Sequence, residues 1–220
     1  MSSDKPKTPF LLTLYHQYLD NQDSAGFISK TSRCYTPGTL TRLTKSHERQ
    51  VRRAAVLALG FIADYTANTA MGRALLDDDR TVRIIAENGI RNVWTRAGNE
   101  QQRQHLGIVL RLNSAQHYRE AAAKATELIE KAPWFAEAWN QRAVAHFNLK
   151  DYADSIRDCH QALEINPYHF VAATSMGQAY LELENYVSAL DSFRRALRLN
   201  PDLEGVRAQV VRLARLVDGK

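Results

Sequence analysis

Apolar residues return along the chain at the three- and four-residue intervals of helices buried on one side. Leu11, Leu14, Tyr15, Tyr18 and Leu19 follow i, i+3, i+4, i+7, i+8 spacing, which predicts an amphipathic helix. Residues 1–9 before them are polar and expected to be a disordered tail. Asp23 or Ser24 is placed to cap a short helix carrying Phe27 and Ile28. Thr36-Pro37 pairs a capping hydroxyl with a first-turn proline, so another helix should open there and present Leu40 and Leu43. Near the C-terminus Val206, Val210, Leu213 and Leu216 define a last amphipathic helix.

Between these ends the pattern repeats. At an offset of thirty-one residues, Val51-Arg52 falls on Val82-Arg83, Ala55 on Ala86, Leu59 on Ile90 and Ile62 on Val93. Each copy reads as a short helix, a polar turn (Ser46-His47-Glu48, then Asp77-Asp78-Asp79) and a longer helix. Neither pair can bury its apolar face alone, and stacking solves that. The VRRAAVLALG run and the acidic second turn resemble HEAT repeats over residues 36–97, with His47 departing from the acid common there.

Ala97-Gly98-Asn99-Glu100 is the expected junction, because Gly98 suits a helix end and Asn99 the next cap. Beyond it the period is thirty-four, marked by Pro133, Pro167 and Pro201. Tyr152 falls on Tyr186, Ile156 on Leu190, Ala162 on Ala196 and Leu163 on Leu197. Trp139, Ala143, Ala162 and Pro167, then Gly177, Tyr180, Ala189, Phe193, Ala196 and Pro201, resemble the tetratricopeptide signature. Arg142, Ser155 and Cys159 depart from it. A degenerate copy precedes these, with Tyr118, Ala121, Ala125, Leu128 and Pro133 in register. The expected fold class is therefore all-α: an α-solenoid of HEAT-like helical pairs followed by a tetratricopeptide superhelix. Its expected parts are residues 1–9, 10–98 and 99–220, the last ending in a capping helix.

The resemblance implies function. In tetratricopeptide proteins the first helices of successive repeats line a concave groove, which here would present Asn140, Val144, Phe147, Thr174, Gln178 and Leu181, with Arg212 and Arg215 extending it. Apolar patches with amides and a hydroxyl suit an extended or helical partner segment. The clamp that holds a C-terminal carboxylate in tetratricopeptide co-chaperones requires cations, and the matching positions offer Gln178, Thr174 and Ser175 beside Asn140. The expected function is a non-catalytic scaffold or adaptor for a protein or peptide partner. The alternative is nucleic-acid binding through a basic face of Arg49, Arg52, Arg53, Arg80 and Arg83. Against it, Glu48 and Asp77–Asp79 interrupt the positive field, and Arg52 and Arg83 could instead form a ladder with the turn acids. In a third arrangement, residues 10–28 would dock the chain as an arm of a larger complex.

Composition supports these limits. The chain has 220 residues, 45% hydrophobic, with a net charge of +5. Residues 1–100 carry fourteen Lys/Arg against ten Asp/Glu, and the rest fifteen against fourteen. That excess is too mild for a nucleic-acid signature. Cys34 and Cys159 have no metal-ligand spacing, and a reducing, cytoplasmic setting is expected. No stretch approaches the roughly 20 apolar residues of a membrane span. The seven histidines form no HExxH. Cys159 and His160, adjacent on a helix, point apart. Asp77-Asp78-Asp79 is explained by capping rather than a metal. No cofactor, metal or catalytic residue is expected.

Overall fold

The computed structural model describes residues 9–217 and 219. Of the expected tail at residues 1–9, residues 1–8 lie outside the described residues. Among them there are thirteen α-helices and no strand: α1 (Phe10–Asn21), α2 (Ser24–Cys34), α3 (Pro37–Leu43), α4 (Arg49–Ile62), α5 (Asn68–Ala74), α6 (Arg80–Thr95), α7 (Glu100–Ser114), α8 (Tyr118–Lys131), α9 (Ala136–Asn148), α10 (Tyr152–Ile165), α11 (Phe170–Glu182), α12 (Tyr186–Leu199) and α13 (Glu204–Val217). No described helix is long and apolar enough to cross a membrane. The chain divides into two compact units, Met1–Val93 and Trp94–Lys220.

In the first unit the capping signals act as read. The Asp23 side chain accepts from Gly26 N–H to start α2, and Thr36 Oγ1 accepts from Thr39 N–H to start α3 with Pro37 in the first turn. α1 buries Leu11, Leu12, Leu14 and Tyr15, while Leu19, expected on the same face, is exposed. The thirty-one-residue period reappears in the hydrogen bonds. Arg52 Nη1 donates to the carbonyls of Ser46 and His47 at 3.0 and 3.2 Å. Arg83 Nη1 donates to the carbonyls of Asp77 and Asp78 at 2.9 and 3.4 Å. Each arginine thus ties its helix to carbonyls of the turn before it. Gly60 and Gly89 bring α4 and α6 into backbone contact: a Cβ on Gly60 would lie 2.9 Å from Gly89 Cα.

The second unit is built from helical pairs, α7/α8, α9/α10 and α11/α12, followed by α13. Its period of thirty-four is written in the backbone. Gln116, Lys150 and Glu184, thirty-four residues apart, all adopt a left-handed conformation, with φ of 63°, 67° and 56°. The residue after each closes the same turn: His117 N–H donates to Leu112 O, Asp151 N–H to His146 O and Asn185 N–H to Tyr180 O, each at 2.9 Å. This is the bonding of a Schellman helix end. The degenerate first copy therefore shares the turn of the later two despite its weak sequence. Asn99 opens α7 with a full capping box to Gln102, just after Gly98 at φ +82°. The core of the last two pairs and α13 gathers Ala143, Cys159, Ala162, Ala172, Met176, Ala189, Phe193, Ala196, Val206 and Leu213. Alanine and glycine let facing helices approach, and Phe193 fills the space above Gly177.

Candidate protein-interaction surface

Within the second unit α9 touches both α7 and α11, so the first helices of the pairs lie side by side. The second helices pack chiefly on first helices. The first helices of the pairs thus form one layer of the unit.

The expected groove residues divide on this layer. Gln178 is exposed, and Val144, Phe147 and Leu181 are half-buried. Phe147 packs edge-on against Tyr152 with ring centroids 5.5 Å apart. Thr174 is half-buried and donates its hydroxyl to Phe170 O at 2.9 Å. Asn113 of α7 joins the layer by donating to Gln141 O and Oε1 of α9 at 2.9 and 3.0 Å. Arg212 and Arg215 are exposed on α13. Asn140 is corrected: only 2% exposed, it turns away from solvent and donates to Glu137 Oε1 at 3.1 Å.

That bond belongs to a buried network which the spacing of residues did not disclose. Glu137 accepts from Asn140 and Gln141 through Oε1, and from His169 Nε2 at 3.0 Å through Oε2. His169 is wholly buried, and its Nδ1 accepts Ala172 N–H at 3.1 Å, which assigns the ring proton to Nε2. Trp94 stacks on the imidazole with centroids 4.2 Å apart. Burial alone would raise the Glu137 carboxyl; the bonds from His169, Gln141 and Asn140 outweigh it and hold the group below the ordinary range. Stacking and full burial give this set a structural part, not a catalytic one.

The three departures from the tetratricopeptide pattern in α9 and α10 also find partners. Arg142 grips Asp158 with two bonds of 2.8 Å, donates to Thr126 Oγ1 at 3.0 Å and lies 4.9 Å from the Trp139 ring centre. Ser155 Oγ donates to Ala143 O at 2.9 Å. Cys159 is buried, and its thiol is pushed up to about 12 by that burial, so it is no nucleophile near neutral pH.

In the first unit the residues of the alternative basic face are largely bound to their own chain. Arg52 holds Asp77 with bonds of 2.8 and 2.9 Å, and Arg53 holds Asp79 with bonds of 2.9 and 2.6 Å. Asp79 thus pairs with Arg53, and Arg52 takes Asp77. Arg83 is tied to two carbonyls, as above, while Arg49 and Arg80 are exposed. Asp79 also accepts Val82 N–H at the start of α6. Among the described residues no group of three or more His, Cys, Asp or Glu side chains could hold a metal ion.

Residues 136–169 and 171–203 match the family model of the tetratricopeptide repeat. The match falls on the α9/α10 and α11/α12 pairs. A TPR repeat-containing protein of Rhizobium etli is 40% identical over 50 residues. The match covers 23% of this chain and 24% of that one, so this chain spans about a quarter of the curated relative. The first TPR of Spaghetti (RPAP3) bound to the HSP90 peptide SRMEEVD superposes with a TM-score of 0.53 at 21% identity, over 55% of this chain and 96% of that one. The TPR2B-domain:pHsp70 complex of yeast Sti1 gives 0.50 at 19%, over 54% and 99%. At such identities the likeness is one of fold.

Proposed function

We propose that the chain is a non-catalytic interaction scaffold, and that an extended or helical segment of a partner protein docks across the first helices of its tetratricopeptide repeats. The observation that carries this reading is the set Val144, Phe147, Gln178 and Leu181, partly or fully exposed on neighbouring helices of one layer. Apolar side chains there offer anchors, and the amide of Gln178 can meet a peptide backbone. The two related structures above hold HSP90 and Hsp70 peptides, which is consistent with the same use of the fold. The recognised segment differs in kind, because Thr174, Ser175 and Gln178 supply no cation for a terminal carboxylate.

On this reading the first unit is a HEAT-like extension, and the protein works in a reducing, cytoplasmic setting where exposed Cys34 stays a free thiol. Nucleic-acid binding is not adopted: phosphates would have to displace Asp77 and Asp79 from bidentate arginine pairs.

The test is quantitative affinity purification with the intact chain and a Phe147→Ala/Gln178→Ala variant, after circular dichroism shows both folded. The variant should lose the specific partners recovered by the intact chain. Equal recovery would remove the first-helix layer as the docking site.

A further inference from the structure

α13 buries Val206 and Leu213 against the last repeat, and on the other side leaves Val211 48% and Leu216 58% exposed. Leu216, expected to serve the inner face, is among the most exposed large apolar residues of the described chain. These side chains and Ala208 form an open apolar strip on the surface of α13, bordered by Glu204, Arg207, Arg212 and Arg215. Positions 208, 211, 212, 215 and 216 share one helical stripe, about 12 Å long at 1.5 Å per residue.

The charge around that stripe is one-sided. Three arginines border the strip against one glutamate. Arg207 donates to Pro201 O, and among the described residues Arg212 and Arg215 have no ion-pair partner. A second copy laid on the stripe would bring arginine against arginine, which opposes a symmetric pair. An apolar strip with a cationic border fits the opposite pattern.

We propose that the outer face of α13 is a second docking surface, separate from the first-helix layer, and that its occupant is an acidic amphipathic helix of a partner protein. Its apolar side chains seat on Val211 and Leu216. Its Asp and Glu residues flank them and pair with Arg207, Arg212 and Arg215. Arg212, expected at the end of the groove, belongs to this surface.

The experiment uses the full chain and a labelled, end-blocked helical peptide of about 16 residues, with leucines at i, i+3, i+4, i+7 and glutamates beside them. A second peptide carries lysine for each glutamate. Fluorescence anisotropy should show the acidic peptide binding one to one, and roughly tenfold more weakly when salt rises from about 0.05 to about 0.5 M. Val211→Asp and Arg212→Glu/Arg215→Glu, all at exposed positions, should each weaken it by roughly tenfold or more. The lysine peptide should prefer the charge-reversed variant. Phe147→Ala/Gln178→Ala should leave this binding unchanged, which separates the proposal from the first-helix reading. Equal binding of both peptides, binding of neither, or loss of binding in the Phe147/Gln178 variant overturns it. So does a concentration-dependent dimer in light scattering that Val211→Asp abolishes, which would make the occupant a second copy.

Discussion

Arg142 and Asp158 face each other across the α9–α10 hairpin through two bonds of 2.8 Å, with side chains only 18% and 6% exposed. The pair fills poorly solvated ground between the two helices, so an ion pair stands where apolar packing could. Removing one partner strands the other in a poorly solvated place. Asp158→Ala should cost about 3 kcal/mol in urea unfolding. Arg142→Leu/Asp158→Ala, which removes both charges and restores an apolar contact, should recover most of that loss. A double variant as unstable as the single would mean that packing, not the stranded charge, sets the cost.

This pair shows where the sequence could and could not be read. The thirty-four-residue period fixes helices, turns and small-residue contacts because every repeat solves one packing problem, and the shared turns at Gln116, Lys150 and Glu184 follow it even into the degenerate copy. Compensation between helices follows no period. Arg142 appears as a departure until Asp158, sixteen residues on, is seen beside it. Asn140 sits at a groove position by spacing, yet the buried Glu137 carboxylate draws its amide inward. Likewise helical spacing assigned Leu19 and Leu216 to inner faces, but a stripe of spacing does not say how wide the covering neighbour is.

Gly177 is required by its partner ring. A Cβ there would lie 2.7 Å from Phe193 Cε1 and 2.8 Å from Cδ1. Phe193 is buried and cannot swing away without disturbing the core of the last pair. Gly177→Ala should therefore destabilise the chain by about 1–3 kcal/mol despite alanine's better helix propensity. Phe193→Leu in the Gly177→Ala background should be milder than Phe193→Leu alone, since the new methyl occupies part of the vacated space. Chemical denaturation of the four proteins in a double-mutant cycle gives the coupling.

The Glu137 carboxylate accepts from three side chains and has no donor to offer in return. Glu137→Gln keeps the shape but turns one acceptor into an N–H2 group. That group must face either the His169 Nε2–H or the Asn140 and Gln141 amides, and a buried donor is left unsatisfied. Moving the ring proton to Nδ1 offers no escape, because Nδ1 already accepts Ala172 N–H. The variant should lose about 1–3 kcal/mol, and near-ultraviolet circular dichroism should register a change at Trp94, whose indole stacks on His169. An unchanged Trp94 signal with unchanged stability would mean the network tolerates a neutral amide.

Acid should release the Arg53–Asp79 pair within a definite window. The side-chain bond from Arg53 holds the Asp79 carboxyl at about 2, below its ordinary 3.8, against burial that would raise it, with help from Val82 N–H. A carboxyl depressed by folding contributes its stability fully above the unfolded value and loses it as pH falls through the folded one. The contribution should be on the order of 2 kcal/mol near neutral pH and fade between about pH 4 and pH 2. Asp79→Asn removes the titration, so the stability gap between the natural chain and this variant, followed by urea unfolding from pH 7 downward, should stay constant to about pH 5 and then close. A gap that remains at pH 2.5, or one that is absent at pH 7, would show that Arg53 gains nothing from the charge on Asp79.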